Sequence, residues 1–128
     1  MLFADLTDRV FARSDQLLWL WNFYVAVVIV TLASVFLVPA IREQQRLRIG
    51  LMTLFAFVAY ANLESMRWVL KQWHSLVEAN RALLTPSAID AVLGAPHPLW
   101  VFPFHLTLDA FVLITIWRLS RPQSASPR

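Results

Sequence analysis

The sequence predicts an all-α integral membrane protein. Its three transmembrane helices form an up-down-up bundle, with short amphipathic or interfacial helices at the N-terminus and in the second loop. Three observations predict it. The 128 residues are 59% hydrophobic and only 15% charged, against roughly 45–50% and about 25% in a soluble domain. The chain holds three long apolar runs, and its arginines and tryptophans are banded at their ends. So short a chain has too little interior to hide this much apolar surface, and so apolar a composition excludes a disordered chain. With no cysteine, disulfide scaffolds, thiolate metal sites and cysteine nucleophiles are excluded.

Residues 1–16 precede the first run. Leu2, Phe3, Leu6, Val10 and Phe11 recur at helical spacing, opposite Asp5, Asp8, Arg9 and Arg13. This pattern suits an amphipathic helix lying on the outer membrane surface. Residues 17–38 are an uncharged run, LLWLWNFYVAVVIVTLASVFLV, about 33 Å long as a helix at roughly 1.5 Å per residue. That length crosses a hydrocarbon core of about 30 Å. In lipid the backbone must bond to itself, so helix is the solution despite many β-branched residues. The run is too long, and its leader too acidic, for a cleaved signal peptide.

Residues 39–48 form a basic turn, with Pro39 ending the first helix and Arg42, Arg46 and Arg48 following. The second span covers residues 49–70, apolar from Ile49 to Leu63 and then interrupted by Glu64 and Arg67. No proline lies between Pro39 and Pro86, and Gly50 is the one glycine there. A helix over about 41–83 would therefore project beyond the membrane. In the external loop, 71–98, Thr85-Pro86 reads as an N-cap and first helical residue, and Gly94 as a helix stop, giving a short helix over 86–93. The third span covers residues 99–118, with Pro103 in its first turns, where a missing N–H does least harm. Residues 119–128 are a disordered basic tail.

Charge sets the orientation. Arg42, Arg46 and Arg48 in the turn, and Arg118, Arg121 and Arg128 at the C-terminus, outweigh Lys71 and Arg81 in the long loop. Arg9 and Arg13 are offset by three aspartates. The positive-inside rule puts the turn and C-terminus in the cytoplasm and the N-terminus outside, as expected in a bacterial inner (plasma) membrane. Trp19, Trp21, Trp68, Trp73 and Trp100 then fall at the outer interface and Trp117 at the inner one, as aromatic anchors. The net charge of +3 and pI of about 10.2 sit at span ends rather than on a basic face, which argues against a nucleic-acid partner.

Polar groups at membrane depth are the candidate site, because each is costly unless paired or hydrated. Tyr60, Glu64 and Arg67 share one face of the second helix with Lys71, and Thr53 lies on the same line. His105 and Asp109 are four apart on the third. The first helix offers Asn22. At about 1.5 Å per residue, Asn22, Glu64 and His105 lie roughly 7–9 Å deep, Asp109 about 15 Å and Arg67 about 4–5 Å. Such a cluster fits three readings. It holds helices together or docks them on a partner, it lines a path for protons or cations, or His105 ligates haem or a metal beside Glu64 and Asp109. His74 and His97 fall outside the spans.

No Gly-rich phosphate loop, HExxH or Gly-x-Ser-x-Gly is present, so the expectation is no enzyme and no cofactor. No GxxxG occurs either, and large side chains such as Phe55, Phe57, Phe102, Phe104 and Phe111 interlock or face lipid. The leading expectation is a non-catalytic accessory or assembly subunit of a larger membrane complex. Its partners would be the lipid bilayer and other membrane subunits or copies of itself. In outline of topology the chain resembles the three-span phage holins, with an outside N-terminus and a short basic inside tail. That resemblance implies a homo-oligomeric pore. The chain departs from it in its many tryptophans and in lacking a second Met near the start. The third expectation is a membrane anchor subunit carrying haem or a metal.

Overall fold

The computed structural model describes residues 3–83 and 98–119. Among them all regular structure is helical: α1 (Phe3–Leu37), α2 (Pro39–Glu43), α3 (Gln45–Ala79), a 3₁₀ turn (Arg81–Leu83) and α4 (Pro98–Leu119). The expected helix over 86–93, Arg121 and the C-terminal tail lie outside the described residues. Three helices are long and apolar enough to cross a membrane, over Asp8–Leu37, Gln45–Ala79 and Val101–Leu119.

Breakers in the sequence place the helix ends. Val38 is extended, with φ −109° and ψ 98°, because a residue before proline is driven from the helical region. Pro39 then opens α2, where its fixed φ suits the first helical position. Gln44 is extended again, at φ −99° and ψ 109°, and its carbonyl accepts from the Arg48 N–H at 3.2 Å to begin α3. The basic turn expected over 39–48 thus contains a five-residue helix. At the far end of α3, the Asn80 side-chain amide donates to the Leu76 carbonyl at 2.8 Å, occupying one of the acceptors a helix C-terminus leaves open.

The N-terminal segment differs from the sequence expectation. It is the beginning of α1, not a separate surface helix. No proline or glycine interrupts residues 3–37, and Val10 packs on Trp73 and Val77 of α3. The same contact draws α3 well past residue 70. At about 1.5 Å per residue, the 35-residue helices α1 and α3 are about 52 Å long and the 22-residue α4 about 33 Å.

One repeat organises the packing. The buried residues of α1 are Val10, Leu17, Tyr24, Val28, Thr31 and Val35. Those of α3 are Phe55, Ala59, Asn62, Met66, Val69, Leu70, Trp73 and Val77, and those of α4 are His105, Val112 and Ile116. Steps of three, four and seven keep one seam facing the partners, as in bundles of shallowly crossing helices. Positions along α1 pack on α3 in three clusters: Val10 with Val77, Leu17 with Leu70 and Met66, and Tyr24 and Val28 with Ala59 and Phe55. On α4, Val101 and Phe102 pack in the cluster that holds Leu17, and Val112 and Ile116 in the cluster that holds Val28 and Val35. Outside the seam many large apolar side chains are uncovered. Leu18, Ile29, Val30, Leu54, Phe57, Phe104 and Phe111 are all exposed.

Candidate functional site

Apart from Thr31, the polar residues inside the seam converge at one site. Tyr24 on α1, Asn62 on α3 and His105 on α4 are each buried. Asp109 lies one turn beyond His105, largely covered at 16% side-chain exposure. The Tyr24 hydroxyl donates to Asp109 Oδ1 at 2.6 Å. His105 Nδ1 lies 3.0 Å from Asp109 Oδ2. The carboxylate therefore takes one donor on each oxygen, from two helices. The Asn62 amide nitrogen lies 3.5 Å from His105 Nε2 and 3.5 Å from the Met66 sulfur. A neutral imidazole protonated on Nδ1 satisfies both sides, donating to Asp109 and accepting from Asn62.

Rings close the site from above. The Tyr24 ring stacks on the His105 imidazole with centroids 3.8 Å apart and planes 27° from parallel. Trp21 meets the imidazole edge-on at 6.4 Å and contacts Phe104 at 5.8 Å. The set is nearly satisfied. Asn62 Oδ1 is its one buried polar atom with no hydrogen-bond partner.

Of the six polar residues singled out by the sequence, this site brings together His105 and Asp109. Asn22 is exposed, because it lies two residues, about 200°, from Tyr24 on α1. Tyr60 is also exposed. Glu64 and Arg67 bond each other on the α3 surface at 2.6 Å, one turn apart. Tyr60, Glu64 and Arg67 do form a stripe, but it lies beside the seam rather than in it. The two members that spacing missed are Tyr24 and Asn62. Their signal is register: each falls on the three-four repeat of the buried apolar residues around it.

The tryptophans divide in a similar way. Trp19 and Trp68 are exposed, Trp19 stacked on Phe23 with centroids 5.7 Å apart. Trp117 is half-exposed, with the Arg48 guanidinium 5.7 Å from its ring. Trp73 is instead buried between α1 and α3, and Trp21 is a half-buried wall of the polar site. Both face neighbouring helices because they fall on the seam. The side chain of Trp100 lies outside the described residues. Arg42, Arg46 and Arg118 are exposed.

His105 has a side-chain neighbour at each ring nitrogen. One ring nitrogen is committed to Asp109, the other faces Asn62, and the Tyr24 ring covers one face. Among the described residues no group of three His, Cys, Asp or Glu side chains gathers as a metal site. Glu64 is partly exposed on α3 and paired with Arg67. What the arrangement does chemically is cross-link three helices through one carboxylate and one imidazole.

Fold and site together define an all-helical chain with three helices of membrane-crossing length, pinned at mid-seam by a polar network. No protein-family model, curated protein or solved structure matches the chain.

Proposed function

We propose that this chain is a small membrane subunit, crossing a bacterial inner membrane three times, that serves as a non-catalytic accessory or assembly component of a larger membrane complex. In this reading the N-terminus lies outside and the C-terminus in the cytoplasm, with Arg42, Arg46, Arg48 and Arg118 holding that orientation. The observation that carries the reading is where the polarity is used. Tyr24, Asn62, His105 and Asp109 are consumed in tying the chain's own helices together. The outer faces, the charged stripe of α3 apart, are left largely apolar and uncovered. A rigid bundle presenting such faces is suited to lipid and to the helices of a partner.

The holin-like pore and the haem anchor each need polar groups free to meet an ion or an iron. Of the residues considered for them, His105 and Asp109 are bonded within the site, which favours the subunit reading. The test is extraction of the protein from its own membranes in mild detergent, followed by native mass measurement. Co-purification at fixed stoichiometry with other membrane proteins supports the reading. A stable, solitary monomer overturns it, and a ring of identical copies replaces it with the pore.

A further inference from the structure

The charged stripe on α3 lies outside the polar network and lines a separate groove of about 920 Å³. Its upper wall carries Glu64, Arg67, Lys71 and His74, at steps of three, four and three along α3. Opposite it stand Gln16 and Leu20 from α1 and Phe102 from α4, so the apolar part of that wall is Leu20 and Phe102. The cations are not equivalent. Arg67 is held by Glu64 at 2.6 Å, and its guanidinium sits 5.7 Å over the Phe102 ring. Lys71 has no ion pair or side-chain hydrogen bond among the described residues. It stands two turns from Glu64, about 10.5 Å along the axis at roughly 1.5 Å per residue, so that carboxylate, already paired, opposes an anion at Lys71 only weakly. The groove therefore offers one uncompensated positive charge, a neighbouring exposed imidazole, and an apolar floor beneath them.

We infer that this groove binds an anionic phospholipid, its phosphate on Lys71 with Arg67 and His74 flanking it, and an acyl chain along Leu20 and Phe102. The inference rests on the proposed membrane reading. In that reading Lys71 lies just outside the second span and exposed Trp68, which also lines the groove, lies at the headgroup level favoured by tryptophan. Basic pockets between membrane helices on the cytoplasmic side take anionic headgroups through point charge, and on the proposed orientation this groove presents a point charge beside an apolar wall to the outer leaflet. A phosphate with no acyl chain would use the cation but leave the floor empty.

The test uses the full chain in nanodiscs of equal phosphatidylglycerol and phosphatidylcholine, with retained lipid counted by native mass spectrometry after release. Wild type is expected to retain phosphatidylglycerol preferentially. Lys71→Gln is expected to lower that preference about fivefold, the loss of one basic contact near a membrane surface. Arg81→Gln, which removes an exposed cation outside the groove, is expected to leave it unchanged. Equal retention of the two lipids, or a preference indifferent to Lys71→Gln, overturns the inference. Displacement of the lipid by millimolar inorganic phosphate also overturns it, by showing a site for the free anion. A protein that reconstitutes normally but shows no preference loses this inference alone. A protein recovered in the aqueous supernatant of untreated membranes instead removes the three-span reading beneath it.

Discussion

The helices α3 and α4 each carry an acid and a base close together, and they use them in opposite ways. On α3, Glu64 and Arg67 pair along one helix, three residues apart, on an exposed surface. On α4, Asp109 and His105 are four apart, but the pair is completed from elsewhere in the chain. Tyr24, 85 residues away, takes the other carboxylate oxygen, and Asn62 faces the far side of the imidazole. The first pair is local and leaves the fold indifferent to it. The second converts the same chemistry into a joint among three helices. Sequence spacing alone does not distinguish them, and burial does.

The comparison breaks most readily at Asp109. Replacing it with alanine leaves a buried hydroxyl and a buried imidazole N–H without an acceptor. Each uncompensated group costs on the order of 1–3 kcal/mol, so a loss of about 3 kcal/mol is expected in a denaturant titration of the detergent-solubilised protein. A change below about 1 kcal/mol would mean that the joint does not hold the bundle. Tyr24→Phe keeps the stacked ring and deletes one donor. Its expected cost is about 1 kcal/mol, given the modest value of hydrogen bonds between helices in lipid, and a near-ultraviolet circular dichroism spectrum should stay native. The smallest effect belongs to α3. Glu64→Gln or Arg67→Gln removes only an exposed ion pair and should shift stability by no more than about 0.5 kcal/mol in the same titration. If the α3 variants cost as much as Asp109→Ala, the contrast between the two pairs is lost.

The helices were the legible part of the sequence, because length and hydropathy report them directly and Pro39 marks a boundary. His105 and Asp109 were legible because four-residue spacing puts them on one helical face. Tyr24 was harder to read, since a phenol within an apolar run is equally at home against lipid, and its acceptor lies on another helix. Asn62 was hidden by its neighbours. Tyr60, Glu64 and Arg67 form a more conspicuous stripe, and only the seam through Phe55, Ala59, Met66, Val69 and Trp73 shows which residue points inward. The continuity of α1 was obscured differently. An amphipathic N-terminal pattern fits a water–lipid boundary as well as a partner helix, and only the packing of Val10 against Trp73 and Val77 separates the two.

The donors to Asp109 also imply an order of biogenesis. Glu64 meets its counter-charge within its own helix, so α3 can enter a bilayer already neutralised. Asp109 meets His105 on α4 but Tyr24 only on α1. Because α1 is synthesised first and emerges first, on the three-span reading its phenol is already waiting when the last segment leaves the ribosome. A circular permutant that delivered α4 ahead of α1 would commit the carboxylate to lipid with half its bonds unmade.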